Sequence, residues 1–131
     1  MNSEKPSRAE QGHISETLAA TFLERRGFQI LARNVHAGGV ELDLVARLPV
    51  GADAVETIVF VEVRSRSSVD QGQPSETVGR RKQARLCRGA TAWLVERDLW
   101  EKTAVRFDVI GVVWAANGPT VQWLAGAFEA N

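Results

Sequence analysis

The sequence lacks the features that mark secreted and membrane proteins. It has a single cysteine, Cys87, among 131 residues, so no disulfide can form within the chain. It contains no run of about 18 apolar residues, the length that a membrane-spanning helix requires. The residues that follow Met1 are polar and do not resemble the apolar stretch of a secretory signal. We therefore expect a cytoplasmic protein without a membrane partner.

The chain also lacks an excess of charge of either sign. Its 16 basic and 16 acidic residues give a formal net charge of zero, whereas nucleic-acid-binding domains are often strongly basic. Any surface for nucleic acid must therefore be local. His13 and His36 are the only histidines, and neither has a second histidine or cysteine at ligand spacing, which argues against a zinc site.

The periodicity of apolar residues predicts one α/β domain that spans residues 1–131, with a core at about 8–115. Ser7 and Glu10 form a capping-box pattern that predicts the start of the first helix. The predicted elements are a helix at 8–26, strands at 28–35, 40–47 and 57–64, a helix at 76–97, a strand at 104–114 and an optional edge strand at 120–124, with a turn at 37–39 and loops at 49–56 and 65–75. We expect a three-layer fold in which both helices pack on a mixed central sheet.

Alternation within the strands predicts which residues share a face of the sheet. The third strand is apolar on both faces, which is typical of a central strand. In the second strand one predicted face carries Val40, Leu42 and Leu44, and the other carries Glu41, Asp43 and Val45. On the second helix the predicted apolar stripe is Leu86, Ala90, Trp93 and Leu94, with Arg81, Arg85 and Arg88 nearly opposite and Lys82 at the border.

Two acidic residues lie on strands where burial would be costly, Asp43 and Glu62. If the second and third strands pair antiparallel across their loop, these carboxylates come close together. Glu62 and Arg64 are two apart and project from one face. Paired carboxylates repel unless a cation lies between them, and hard oxygen ligands suit Mg²⁺ or Mn²⁺. Glu16, in an otherwise apolar part of the first helix, is a third candidate ligand.

An Asp on one strand, Glu-Val-Arg at the polar end of the next, and a Glu on the preceding helix resemble the PD-(D/E)xK nuclease signature. More specifically, the chain resembles the YraN family, small bacterial proteins similar to Holliday-junction resolvases. The matching stretches are GHISETLAA at 12–20, GFQILARN at 27–34, ELDLV at 41–45, FVEVRSR at 60–66, RFDV at 106–109, and Lys82 with Arg85 and Leu86. They extend over about residues 12–113.

The resemblance implies a restriction-endonuclease-like core and a metal-dependent endonuclease acting on DNA, branched DNA included. It implies Glu16, Asp43 and Glu62 as ligands for Mg²⁺ or Mn²⁺, with Arg64 in the place usually given to Lys. The implied catalytic residues are Asp43, Glu62 and Arg64, and the candidate phosphate-binding residues are Lys82, Arg81, Arg85 and Arg88. Junction cleavage also calls for a two-fold symmetric homodimer.

Two departures from the family pattern affect the expected chemistry. Arg64 stays protonated, so it cannot serve as a general base, although it can stabilise negative charge on a phosphate. Val40 occupies a position where the family favours glycine, which narrows the approach of a substrate.

Blander interpretations stand beside these hypotheses. Asp43, Glu62 and Arg64 could form a structural ion-pair cluster, Glu16 could pair with a base, and the arginine face could be a solvated helix side. The runner-up function is a nucleic-acid-binding or scaffold protein that keeps the nuclease fold with weak or no catalysis. A third is a structural partner in a protein complex. For Asp108 we expect a salt bridge with Arg106 that fixes their strand.

Overall fold

The computed structural model describes residues 6–48, 55–67 and 78–129. These residues form a five-stranded sheet with one helix on each face. The elements are α1 (Arg8–Glu24), β1 (Gln29–Ala37), β2 (Val40–Arg47), β3 (Thr57–Ser67), α2 (Arg80–Glu96), β4 (Ala104–Ala115) and β5 (Gly118–Phe128). The strands lie in the order β1-β2-β3-β4-β5, with β3 and β4 parallel and the other neighbours antiparallel. The predicted three-layer α/β fold with a mixed sheet is confirmed.

The sheet separates two hydrophobic cores, because the central strand β3 is apolar on both faces. Ile58 and Phe60 face α2, whereas Val59 and Val61 face α1. The predicted stripe of α2 is confirmed, since its members are all at most 5% exposed: Leu86, Ala90, Trp93 and Leu94. Burial of both faces stabilises β3 and fixes the position of the polar residues at its far end.

The first helix begins as the sequence predicts. The Ser7 hydroxyl accepts from the Glu10 N–H at 3.1 Å, and the Glu10 carboxylate accepts from the Ser7 N–H at 2.9 Å, which completes the capping box. Farther along α1, the buried Ser15 hydroxyl accepts from the indole N–H of Trp114 at 3.1 Å. This bond joins the first half of the helix to the end of β4. Neither helix of the described residues is long and apolar enough to cross a membrane.

The hairpin between β1 and β2 holds the second helix close to the sheet. Gly38 and Gly39 form its two-residue turn, and both have positive φ, as the predicted turn at 37–39 requires. Gly89 of α2 lies so close to β2 that a Cβ atom there would come within 3.1 Å of Val40 and Leu42 side chains. The absence of a side chain at Gly89 therefore permits the close approach of α2 to β2.

The predicted faces of β2 are wrong at Leu44. Val40 and Leu42 belong to the core under α2, but Leu44 belongs to the core under α1, and Val45 returns to the α2 side. The alternation therefore changes phase at Asp43. At the same point β2 and β3 separate, because their ladder ends at the pair Leu44 and Val61. A perfectly regular strand would have kept Leu42 and Leu44 on one face.

Several predicted boundaries are also wrong by a few residues. α1 ends at Glu24 and not at residue 26, β1 covers Gln29–Ala37 and not 28–35, and β4 runs one residue farther, to Ala115. β3 continues to Ser67, so the first part of the predicted loop at 65–75 is strand, and the rest lies outside the described residues. α2 runs from Arg80 to Glu96 and not over 76–97, because Val78 and Gly79 precede the helix and Gly79 is its N-cap. Residues 76–77 and most of the loop at 49–56 lie outside the described residues. The optional edge strand is real and much longer than 120–124.

Candidate functional site

The candidate site lies where β2 and β3 part. Beyond Val61, β3 continues to pair with β4 through Ser67, but its ladder with β2 has ended. The Asp43 carboxylate fills the opening, and its Oδ2 accepts from the backbone N–H of Val63 at 2.9 Å. An N–H that the ladder leaves unpaired is thus satisfied by a side chain. Strand separation places Asp43 beside Glu62, as the antiparallel pairing predicts.

Burial and neighbouring acids disfavour the charged form of Asp43. Burial raises the pKa of Asp43 from its usual value of 3.8 to about 7. Repulsion from the carboxylates of Glu62 and Glu16 and a hydrogen bond with Glu62 act in the same direction, and the Val63 N–H opposes them. The structure therefore brings the three predicted acids into electrostatic contact. This supports the predicted proximity of Glu16, which sequence spacing alone could not establish.

A cavity of about 350 Å³ opens at these acids on the α2 side of the sheet. Its lining includes Asp43 and Glu62 from the strands and Lys82 and Arg85 from α2. The Lys82 ammonium lies 3.0 Å from Oε2 of Glu62, whose side chain is only 11% exposed. Acidic strands and a basic helix thus form opposite walls of one cavity.

The remaining predicted basic residues divide into different environments. Arg81, Arg85 and Arg88 are exposed on α2, as the periodicity predicts, but only Arg85 of the three lines the cavity. The Nε of Arg88 donates to the Gly38 carbonyl at 3.2 Å, so this side chain braces the β1–β2 turn. Arg64 is half-buried on β3, in register with Gly111 of β4. It lies two residues beyond Glu62, at the predicted end of the strand.

The acids have the charge that a divalent cation requires, but in this structure their side chains are not close enough together to hold one. Carboxylates that repel one another in a half-buried cavity are the donors that Mg²⁺ and Mn²⁺ prefer. Among the residues that the structure describes, however, no three acidic, histidine or cysteine side chains are grouped closely enough to hold a metal ion. The Lys82 ammonium supplies positive charge to Glu62 in this arrangement.

A second buried carboxylate, Asp108, has a different set of partners. Its side chain is fully buried, and both of its oxygens accept from the Arg106 guanidinium at 2.9 Å. It also accepts from the Trp123 indole at 3.0 Å and from the Gly126 N–H at 2.9 Å. The expected salt bridge is confirmed, but the two contacts to β5 were not predicted. The signal available in the sequence was Gly126, at which the backbone has positive φ.

Comparisons with known proteins identify relatives along most of the chain. A UPF0102 protein of Anaeromyxobacter sp. (strain Fw109-5) is 41% identical over 128 residues, which cover 98% of this chain and 91% of the relative. Another from Anaeromyxobacter dehalogenans (strain 2CP-C) is 43% identical over 92% of this chain and 84% of its own length. One from Trichlorobacter lovleyi is 40% identical over 90% and 89%, respectively.

A profile of the family described as "Uncharacterised protein family UPF0102" matches residues 15–112, a range that contains Glu16, Asp43, Glu62, Arg64 and Lys82. The match and the relatives confirm the resemblance to the YraN family. The chain therefore belongs to the uncharacterised protein family UPF0102.

Proposed function

We propose that the protein is a Mg²⁺- or Mn²⁺-dependent phosphodiesterase that cuts DNA at the opening between β2 and β3. The observation that carries the proposal is the acid cluster itself. Asp43 is held half-buried beside Glu62 and Glu16, and burial together with these neighbours raises its pKa to about 7. A strongly shifted pKa in a cleft is typical of functional sites, because a stable fold gains nothing from acids that repel one another.

The charges around the cavity fit a phosphodiester. The acidic wall of Asp43 and Glu62 would hold a cation, while Lys82 and Arg85 on the opposite wall would meet phosphate oxygens. The cavity volume of about 350 Å³ accommodates a phosphate group with its flanking sugar atoms. A small basic surface beside the acids also explains how a chain with no net charge could bind DNA.

Each side chain has a defined task in this proposal. Asp43 and Glu62 would hold the metal from the two strands, and Glu16 would hold it from α1. The metal, when bound, lowers the pKa of a water molecule and offsets negative charge on the phosphate. Arg64 stays protonated and donates to a phosphate oxygen, so it positions the scissile group without removing a proton. Val63 keeps Asp43 oriented through its backbone N–H.

Metal binding requires that a cation replace the Lys82 ammonium as the partner of Glu62. Lys82 now compensates Glu62 at 3.0 Å, and within the described part of the chain no ready-made group of ligands is present. A cation entering the cavity would take over the role of Lys82 at Glu62 and lower the pKa of Asp43. The released Lys82, whose side chain is 45% exposed, could then turn towards DNA.

A nucleic-acid-binding protein without catalysis is the second candidate, and one observation favours it. The Lys82 and Glu62 ion pair neutralises one acid without any metal. If that pair persisted with DNA bound, the cavity would offer Arg85 to phosphates and would cut nothing. The two candidates therefore differ in whether Glu62 exchanges its partner.

Calorimetric titration of Mn²⁺ and Mg²⁺ tests the proposal most directly. We expect wild-type protein to bind one Mn²⁺ ion, and Asp43→Asn and Glu62→Gln to bind at least tenfold more weakly. The same proteins are then incubated with linear, single-stranded and four-way-junction DNA. Cleavage by the wild type that is lost in both variants supports the enzyme.

Asp98→Asn is the matched control, since it removes one carboxylate from an exposed pair with Lys102 on the loop after α2. It should bind metal and cut DNA like the wild type. No metal uptake by the wild type, with or without DNA, would contradict the proposal. DNA binding that needs Arg85 but no metal would then establish the second candidate.

A further inference from the structure

A second cavity lies away from the acid cluster, where the start of α1 approaches the end of β3. Its volume is about 170 Å³, and its lining residues are Arg8, Gln11, Ser65, Arg66 and Ser67. Arg8 and Gln11 are three residues apart in α1 and therefore share a face of the helix. The other three are consecutive residues of β3 beyond the point at which β2 has separated.

The side chains that line this cavity differ in charge from those of the first, which combines acids with bases. Among the described residues, two arginines, two serine hydroxyls and one amide line the second cavity, and none of these is acidic. Neither Arg8 nor Arg66 is paired with a carboxylate within the part of the chain that the structure describes. The nearest acid in sequence, Glu10, accepts from the Ser7 N–H in the capping box and is thereby engaged elsewhere. Two guanidinium groups that lack a carboxylate partner, with hydroxyl groups beside them, fit a phosphate group.

The size of the cavity restricts what can bind there. Cavities for whole small molecules usually measure about 300 Å³ or more. A volume of about 170 Å³ is too small for a nucleoside but sufficient for one phosphate group with some water. The ligand is therefore a phosphate carried by a larger molecule that stays mostly outside, or free phosphate.

Two elements connect this cavity to the acid cluster and set the distance between them. Glu62 precedes Ser65 by three residues on β3, a length of about 10 Å in an extended strand. Glu16 follows Gln11 by five residues on α1, about 7.5 Å along a helix. Along these two elements the cavities are thus separated by on the order of 10 Å, a distance that one DNA strand spans within a few phosphates.

We propose that the cavity of Arg8, Gln11 and Ser65–Ser67 binds a backbone phosphate of the DNA close to the scissile bond. The assignment rests on the proposed function for the source of the phosphate, although the phosphate chemistry follows from the cavity alone. A strand held at this cavity would be fixed in register and direction across the acids. Arg8 and Arg66 are then positioning residues for cleavage.

The first test uses wild-type protein and needs no variant. Inorganic phosphate is titrated into ¹⁵N-labelled protein, and a DNA oligonucleotide without terminal phosphates is titrated into a second sample. Both ligands should shift the amide signals of Arg8, Gln11 and Ser65–Ser67, and DNA should in addition shift signals around Asp43 and Lys82.

The second test compares two double variants of equal charge. Arg8→Gln combined with Arg66→Gln should weaken DNA binding roughly tenfold and lower the slope of log Kd against log salt by about one, since one phosphate contact is lost. Arg25→Gln with Lys102→Gln is the control, because these exposed residues lie at the opposite end of α1 and on the loop before β4. It should leave the salt slope unchanged.

The outcomes separate this proposal from the previous one. Phosphate shifts at the cavity without any DNA binding would retain a site for a free phosphate ligand and sink the proposed function. DNA binding and cleavage with unchanged signals at Arg8 and Ser65–Ser67 would retain the nuclease and overturn this cavity assignment. Equal salt slopes for the two double variants would also overturn it, and the amide shifts decide the matter if the first double variant fails to fold.

Discussion

Asp43 and Asp108 are two carboxylates of the same sheet with opposite electrostatic surroundings. Asp108 is 1% exposed and is held by the Arg106 guanidinium, the Trp123 indole and the Gly126 N–H. Asp43 accepts from the Val63 N–H, but its charged neighbours include two further carboxylates, Glu62 and Glu16. The charge of Asp108 is thus compensated by its hydrogen-bond donors, whereas the charge of Asp43 is repelled by the neighbouring carboxylates.

The difference shows that burial alone does not identify a functional acid. A compensated carboxylate such as Asp108 joins β4 to β5 and has no acceptor capacity to offer a ligand. An uncompensated one such as Asp43 keeps an affinity for protons, and by the same physics for cations. The partners of a buried acid, more than its exposure, therefore decide whether it keeps acceptor capacity for a ligand.

Replacement of Asp108 should have the largest effect on stability. Asp108→Ala leaves the Arg106 guanidinium, the Trp123 indole and the Gly126 N–H without their acceptor. We expect a loss of about 3 to 5 kcal/mol in the free energy of unfolding, as for other broken buried ion pairs. Urea denaturation measures it. Glu56→Ala, which removes a half-exposed partner of Arg47, should cost less than about 1 kcal/mol. Equal losses in the free energy of unfolding for Asp108→Ala and Glu56→Ala would contradict a special structural role for the Asp108 network.

Replacement of Asp43 should have the opposite sign and depend on pH. Because the folded-state pKa is raised from 3.8 to about 7, the native protein binds more protons than the unfolded chain between these values. Stability therefore falls as pH rises through that window, by up to about 1.4 kcal/mol per pH unit. Asp43→Asn removes this dependence.

Between pH 5 and pH 8 we expect the free energy of unfolding of Asp43→Asn to rise relative to that of the wild type by up to about 2 to 3 kcal/mol. Thermal or urea unfolding across this range measures the gain. Added Mn²⁺ should stabilise the wild type more at pH 8 than at pH 5, since the cation competes with the proton. A difference between the two proteins that stays constant with pH would refute the shifted pKa.

Local patterns in the sequence predict much of the fold because they report local physics. Ser7 and Glu10 specify the start of α1, and two glycines specify the β1–β2 turn. A strand that is apolar on both faces must be central, and β3 is. These features depend on residues within a few positions of one another, so one sequence suffices to identify them.

The rest depends on contacts between distant residues. At Asp43 the side chains of β2 change faces, because β2 and β3 separate there. The alternation of residues in β2 does not predict this change. β5 contains Gly118, Pro119 and Gly126, which weaken a strand prediction. Its full length is supported by the Asp108 contact and by the stacking of Phe128 on Phe107. The partner of Lys82 was likewise hidden, because Glu62 lies 20 residues away in the sequence.

A change at Gly89 should disturb the Asp43 region without touching Asp108. A Cβ at this position would meet Val40 and Leu42 side chains at 3.1 Å, so α2 must move away from β2. We expect Gly89→Ala to lose about 1 to 2 kcal/mol despite the better helix propensity of alanine. Gly12→Ala in α1 is the matched control, because nothing lies within 4 Å of its Cβ. It should gain about 0.5 to 1 kcal/mol. Chemical denaturation of both decides, and a stabilised Gly89→Ala would show that α2 has room to adjust.

Lys82 should have the smallest effect on stability and an informative effect on binding. Lys82 corresponds to Arg106, because each is the basic partner of a carboxylate in the sheet. The side chain of Lys82, however, is 45% exposed and contacts one acid, Glu62, at 3.0 Å. Lys82→Gln should therefore lose less than about 1 kcal/mol. If Lys82 competes with a metal for Glu62, the variant should bind Mn²⁺ several-fold more tightly in calorimetry while binding DNA more weakly. Arg81→Gln removes the same charge from an exposed position of α2 and should change metal affinity far less. Weaker metal binding in Lys82→Gln would mean that the ammonium supports the metal site. Lys82 would then be a fixed partner of its acid, as Arg106 is of Asp108, and the proposed exchange at Glu62 would be wrong.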